Sequence, residues 1–144
     1  MSLFLATCQG IGLAIAVGTL AGASGRRGVT GALIAVPAAI GAAILFGISL
    51  SNRDHPAWPG WPVGILIAVL AFGVVSAVVA GAQARARGAS SVGPIVAVIA
   101  LLIAVLSAFV WEPLGLIFLI ALLWLASARR RRAQSKYEGL RVLR

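Results

Sequence analysis

Long apolar segments alternate with short polar ones along most of the chain. Uncharged segments of about 20 residues occupy 2–23, 29–50 and 63–83, a length typical of transmembrane helices. A fourth apolar segment, 92–127, would run about 54 Å as a single helix, against a hydrocarbon core of about 30 Å. It therefore needs a break, and Trp111-Glu112-Pro113 supplies one. Proline cannot donate to the helical ladder and moves the residue before it out of the helical region.

Two shorter spans, 93–110 and 111–127, result from this break. The sequence therefore predicts an all-α integral membrane protein with five transmembrane helices in one bundle. The bundle would comprise residues 1–128, and a basic tail would follow at 129–144.

The placement of charge tests the number of spans independently. With five spans, eleven of the 12 Lys and Arg residues lie on one side of the membrane, and only Arg53 lies on the other. The positive-inside rule makes the basic side cytoplasmic, with the N-terminus outside and the C-terminus inside. Four spans would place the arginine tail opposite the other basic loops, so five are favoured.

The segment 51–62 contains repeated Pro and Gly, which predicts a polar loop without regular structure. Small residues every four positions predict close helix–helix contacts. Spans 1–2 and 3–4 also resemble two parallel copies of one hairpin, and span 5, rich in Leu and Ile, is expected at the periphery. Because Ala and Gly are so common in this chain, only the five-residue seam in span 2 carries weight. The small-residue seams are Ala14, Gly18 and Gly22 in span 1; Gly31, Ala35, Ala39, Ala43 and Gly47 in span 2; Gly73, Ala77 and Gly81 in span 3; and Ala100, Ala104 and Ala108 in span 4.

Composition agrees with a membrane protein, because only 10% of residues are charged, against about 25% in soluble domains. Cys8 is the only cysteine, which excludes an intramolecular disulfide. Arginine strongly outnumbers lysine, and Ala and Gly abound, as in proteins from GC-rich bacterial genomes. We therefore expect a multi-pass protein of the cell membrane, specifically a bacterial inner membrane.

The predicted spans carry no charged residue or histidine at their centres. Such residues mark proton relays and ion-coupled transport, so their absence argues against both mechanisms. The sequence also has no phosphate-binding loop, no CxxC pair and no HExxH motif. We expect no cofactor, no metal site and no assigned catalytic residue.

Reactive side chains converge only on the outer face. One histidine and two carboxylates there would be ringed by tryptophans, which favour membrane interfaces. If the two outer turns touch, this patch could bind a metal, another cation or a lipid headgroup; otherwise its charges are solvated loop residues. Its candidate members are Arg53, Asp54, His55, Trp58, Trp61, Trp111 and Glu112.

The basic tail is the other specific feature. Bases next to a span attract anionic lipids of the inner leaflet, by about 1 kcal/mol each, and the apolar-basic end of the tail suits a protein partner. Nucleic acid is not expected. The candidate headgroup- or partner-binding residues are Arg129, Arg130, Arg131, Arg132, Lys136, Arg141 and Arg144.

Three functions are compatible with these features. The favoured one is a non-enzymatic accessory or scaffold subunit of a membrane complex. The second is a channel, or a carrier for a small apolar or lipidic substrate, built as a homo-oligomer. The third is an enzyme that acts on lipid headgroups at the outer face.

Overall fold

The computed structural model describes residues 2–85 and 91–141, and these residues form helices joined by short turns. The all-α prediction is confirmed over this part of the chain. Three of the helices, α1 to α3, are long and apolar enough to cross a membrane. The elements are α1 (Ser2–Gly22), α2 (Gly28–Ser51), α3 (Gly60–Arg85), α4 (Val92–Val105), a π-helix (Leu106–Val110) and α5 (Leu114–Arg141).

Helix α1 lies at the centre of the fold and contacts every other helix. Helices α2 and α3 pack against α1 and against each other, whereas α4 and α5 pack mainly against α1. Accordingly, the buried positions of α1 are spread around the helix and do not form a single stripe. They are Ala6, Cys8, Gly10, Gly12, Ala14, Ile15, Ala16, Gly18, Thr19 and Gly22.

Glycines allow these neighbours to approach the backbone of α1. A Cβ on Gly10 would lie 2.7 Å from Ser49 Oγ of α2, and one on Gly18 would overlap the carbonyl oxygen of Ala68 in α3. A Cβ on Gly12 would overlap Ser107 of the π-helix. Glycines on different faces of α1 therefore contact different elements: α2, α3 and the π-helix.

The same contacts give the direction of α3 relative to α1. Gly18 lies against Ala68, and Gly22, four residues later, lies against Val75. The contacting residues advance in the same direction along both helices, so α1 and α3 run parallel and the end of α1 is level with Val75.

Helix α4 runs in the opposite direction. Gly93, at its start, approaches Ala23 just past the end of α1, while Ser107 reaches back to Gly12. Helix α2 is also antiparallel to α1, because Ser49 near its end donates a hydrogen bond to a carbonyl in the first turns of α1. Successive helices therefore alternate in direction.

The small-residue seam predicted in span 2 lies on the buried side of α2, where Gly31, Ala39 and Gly47 are all buried. Of the seam predicted in span 3, Ala77 is buried, but the two glycines contact no other helix within the described residues. A Cβ on Gly73 or on Gly81 would meet nothing within 4 Å. Helix α3 instead packs through a different face, which includes Gly64, Ala68, Ala71 and Ser76.

Two element boundaries also differ from the prediction. Gly60, Trp61 and Pro62 form the first turn of α3, although the sequence placed them in an irregular loop. A first-turn proline costs no helical hydrogen bond, because the N–H groups of that turn have no partner within the helix. Span 5 begins at Leu114, three residues later than predicted.

The predicted break between spans 4 and 5 is present. Trp111 has extended backbone, with φ −158° and ψ 104°. Just before it, residues 106–110 form a π-helix that the sequence did not reveal, and the N–H of Trp111 donates to the carbonyl of Leu106. Pro113 follows two residues later and prevents the helix from continuing.

The two hairpins proposed as repeats pack differently. Helices α1 and α2 touch along their length, whereas α3 and α4 make little contact. Residues 86–90, between α3 and α4, lie outside the described part of the chain, and so do Arg87 and Arg144.

Helix α5 extends far past its apolar portion. The bases 129–132 belong to this helix, and Lys136 and Arg141 lie in its last turns. The first part of the predicted tail is therefore a direct helical continuation of span 5.

The contact between α5 and α1 gives a stability prediction. A Cβ on Gly115 would overlap the backbone carbonyl of Cys8, so Gly115→Ala should force the helices apart and cost about 1–3 kcal/mol, as overpacking does. The unfolding midpoint of the solubilised protein measures this. Gly41→Ala is the control, because its Cβ meets nothing within 4 Å and alanine favours a helix by about 0.5–1 kcal/mol. Equal midpoints for the two variants would contradict the packing described.

Candidate functional site

An ion pair joins the two turns at the outer-patch end of the bundle. Arg53 Nη2 donates to Glu112 Oε1, and each side chain is 26% exposed. Arg53 follows α2, and Glu112 lies in the turn between the π-helix and α5. The patch predicted from the sequence requires the two turns to touch. They do touch, through Arg53 and Glu112.

The neighbouring residues Asp54 and His55 have other contacts. His55 Nε2 lies 3.2 Å from Ser2 Oγ, at the start of α1. Asp54 has a φ of 58°, a left-handed conformation that Asp and Asn adopt more readily than most residues. Asp54 lies three residues past the last residue of α2, and its conformation lets the N–H of His55 turn back and donate to the carbonyl of Leu50. Both residues shape the loop and its contact with the N-terminus of α1.

The three tryptophans of the candidate patch have different surroundings. Trp61 lies over Gly47 of α2, where an added Cβ would be 2.6 Å from the indole nitrogen. Trp58 and Trp111 are 68% and 58% exposed. Exposed indoles at the end of an apolar bundle suit an anchoring role at a membrane surface.

A groove of about 420 Å³ lies beside Glu112, between the start of α1 and the turn after the π-helix. Its walls are mostly apolar, and the carboxylate that it contains is already paired with Arg53. Within the described residues, no group of three or more His, Cys, Asp and Glu side chains could hold a metal ion. The ion pair between Arg53 and Glu112 can hold the two turns together, and it occupies the Glu112 carboxylate. The groove is lined by Phe4, Leu5, Phe109, Val110, Trp111, Glu112 and Pro113.

Most hydroxyl groups inside the bundle bond to helix carbonyls. Thr19 Oγ1 donates to Ile15 at 2.6 Å, and Ser49 Oγ donates to Ala6 of α1 at 3.1 Å. Ser107 differs, because it is fully buried and its Oγ has no hydrogen-bond partner among the described residues. Its place opposite Gly12 follows from the π-helix, and no sequence pattern signals that contact.

At the opposite end of the bundle, one of the predicted tail bases reaches back into the fold. Arg129 Nη1 donates to the carbonyl of Val74 in α3, at 3.0 Å. The sequence predicted Arg129 as a lipid or partner contact and gave no sign of this bond, because nothing in it shows that α3 and α5 are neighbours. Arg130, Arg131 and Arg132 are exposed on the same helix.

The ion pair of the outer turns gives the second prediction. Glu112→Gln or Arg53→Gln leaves the other charge half-buried and unpaired, so each should destabilise the protein by about 1–3 kcal/mol, between exposed and buried pairs. The double variant should lose less than the sum of the two, as residues in contact do. The unfolding midpoints of the three variants measure this coupling.

Asp54→Asn is the matched control, because it removes a neighbouring carboxylate that makes no ion pair within the described residues and asparagine tolerates the same backbone conformation. It should leave the midpoint unchanged. Strictly additive losses in the double variant would show that the two side chains are energetically independent.

Comparison with known proteins adds no relative to this picture. The chain matches no family model, no curated protein sequence and no solved structure. Its function is therefore inferred from the geometry of its own residues.

Proposed function

We propose that this chain is a five-span integral membrane protein that serves as a non-enzymatic accessory or scaffold subunit of a larger membrane complex. The N-terminus would face the outside and the C-terminus the cytoplasm of a bacterial cell. This role requires that the helices lie in lipid, that α4 and α5 also cross the membrane, and that α5 offers a surface to a partner.

The outward faces of the helices support a lipid environment. On α2, large aliphatic side chains at helical spacing are exposed, among them Leu33, Ile40 and Ile44, while the buried side of the helix is built largely of Gly and Ala. A soluble protein has the reverse arrangement, because each Å² of apolar surface left in water costs about 25 cal/mol. Hydrocarbon removes this cost.

Five spans require that α4 and α5 also cross the membrane, in addition to α1, α2 and α3. Together, α4 and the π-helix cover residues 92–110, about 28 Å of helix, and the apolar part of α5 covers 114–128, about 22 Å. The short second crossing is compatible with a turn that lies below the outer end of α1, since Gly115 packs against Cys8. Arginines at the inner end can also extend toward the interface.

The length of α5 is the main support for an accessory role. Its 28 residues form one uninterrupted helix of about 42 Å, which is longer than a hydrocarbon core of about 30 Å. The last turns therefore project past the membrane as a rigid basic helix. A partner could dock on this projection, on the exposed side of the α4–α5 hairpin, or on both.

That exposed side is apolar and partly aromatic. Phe109 is 87% exposed and Trp124 is 71% exposed, and the hairpin is held to the bundle chiefly through α1. A face of this kind suits a lateral contact with another membrane protein.

The other two functions receive less support. Because α1 fills the centre of the bundle, a channel or carrier path along the axis would require several copies of the chain. An enzyme at the outer face would need its acid and base groups to act together, but Glu112 is engaged by Arg53 and the His55 ring contacts Ser2.

The proposed topology predicts the result of cysteine labelling in a Cys8→Ala background. An impermeant maleimide should label Asn52→Cys in intact cells, but Ser24→Cys and Ser135→Cys only after permeabilisation. All three positions are exposed, so access depends on the membrane alone. Labelling of Ser135→Cys from outside, with Ser24→Cys protected, would show an even number of crossings.

The accessory role predicts a protein contact on the α4–α5 hairpin. A photo-crosslinking residue at Phe109 or Ile120 should give a discrete adduct with another membrane protein in native membranes. The same residue at Ile40, on the lipid-facing side of α2, should give lipid adducts only. Recovery of the chain as an uncrosslinked monomer would overturn the role, and an adduct of twice 14.7 kDa would identify a homo-oligomer instead.

A further inference from the structure

We propose that a groove between α3 and α5, at the basic end of the bundle, binds an anionic phospholipid. Its phosphate would lie among three arginines and one acyl chain along α3. The site rests on the membrane insertion proposed above and adds a specific ligand to it. The groove holds about 500 Å³ and is lined by Val69, Leu70, Gly73, Val74 and Ala77 of α3, by Ala126, Arg129, Arg130 and Ala133 of α5, and by Arg27.

The polar end of the groove combines charges from separate parts of the chain. Arg27 precedes α2, whereas Arg129 and Arg130 belong to α5. Within the described residues, none of the three has an acidic partner. Their excess of positive charge suits a phosphate, which accepts hydrogen bonds from several guanidinium groups at once.

Arg129 is held in position by the fold. Its Nη1 donates to the carbonyl of Val74 at 3.0 Å, which uses one of the five N–H donors of a guanidinium. The remaining donors stay at the groove, and the side chain is half-buried. A donor that is already fixed loses less conformational entropy when it binds a ligand.

The apolar end of the groove follows α3. A Cβ on Gly73 would meet nothing within 4 Å, so the helix surface is open there. Val69 and Leu70, one turn earlier, are 49% and 38% exposed. This is the face that sequence reasoning assigned to a helix partner, and within the described residues no helix covers Gly73. The open strip beside these side chains can take an acyl chain.

The depth of the groove matches the two parts of a lipid. Helix α1 ends at Gly22, level with Val75 of α3, and α2 starts at Gly28, directly after Arg27. The arginines therefore lie where several helices reach the inner surface. Val69 lies six residues before Val75, between one and two turns deeper in the proposed hydrocarbon, and Gly73 lies about half a turn before Val75.

A matched pair of double variants separates this site from general attraction to a charged surface. Arg27→Gln with Arg130→Gln removes two lining charges and keeps the bond from Arg129 to Val74. Arg131→Gln with Arg132→Gln removes two charges from the same helix outside the groove. Native mass spectrometry of the full-length protein in detergent measures the retention of added phosphatidylglycerol and, for comparison, phosphatidylcholine.

The groove pair should lower phosphatidylglycerol affinity by about tenfold, and the control pair by about twofold at most. Gly73→Leu, whose Cβ would meet nothing within 4 Å and whose side chain would occupy the open strip, should also reduce retention with all charges in place. Wild-type protein should retain phosphatidylcholine weakly. Equal losses in the two arginine pairs would overturn the site and leave non-specific attraction. A dimer that Gly73→Leu disrupts would overturn it in favour of a second copy of the chain.

The failure of the groove can be distinguished from the failure of membrane insertion. Alkaline carbonate should leave the wild-type chain in the membrane fraction. If the chain is extracted, insertion itself is wrong. A chain that stays in the membrane and retains phosphatidylglycerol equally in all variants overturns only the lipid site.

Discussion

The structure depends on the close approach of other helices to the backbone of α1. Gly10, Gly12 and Gly18 each meet a different partner at a distance that leaves no room for a Cβ. In the lipid environment proposed above, the hydrophobic effect would not drive the helices together, so their association would rely on van der Waals contact and on interhelical hydrogen bonds. The bond from Ser49 to Ala6 adds such a link between α2 and α1. Small residues occupy these contacts, whereas many of the large aliphatic side chains lie on the outside of the bundle.

The sequence predicted the parts of the fold that follow local rules. Proline chemistry at Pro113 gave the break before α5, and the regular spacing of Gly31, Ala39 and Gly47 gave the buried side of α2. The spacing rule was wrong for the two glycines of the α3 seam. The chain has 17 glycines, so several helix faces carry a small-residue seam, and only tertiary packing selects one.

The candidate sites depended on tertiary packing even more. The sequence placed Arg53 and Glu112 on the same side, but their pairing required two distant turns to meet. It gave no sign of the π-helix or of the bond from Arg129 to Val74. The ion pair and the bond from Arg129 to Val74 each join residues more than one helix apart, and no local pattern encodes such contacts.

The two ends of the bundle have contrasting electrostatics. At one end, Arg53 is neutralised by Glu112. At the other end, arginines from α5 and from the α1–α2 turn gather around one groove without acidic partners in the described residues. The fold thus neutralises its one base on the first side and concentrates unpaired positive charge on the second, which is the asymmetry that orients a protein in a membrane.

The central place of α1 has a consequence for assembly. Of the three helices long and apolar enough to cross a membrane, α1 has the lowest mean hydropathy, and it carries the polar side chains of Ser2, Thr7, Gln9 and Thr19. A ribosome releases α1 before the segments that will enclose it. In the proposed membrane topology, α1 would enter the bilayer first, and its close-packed surface would be covered only when α2 and α3 follow.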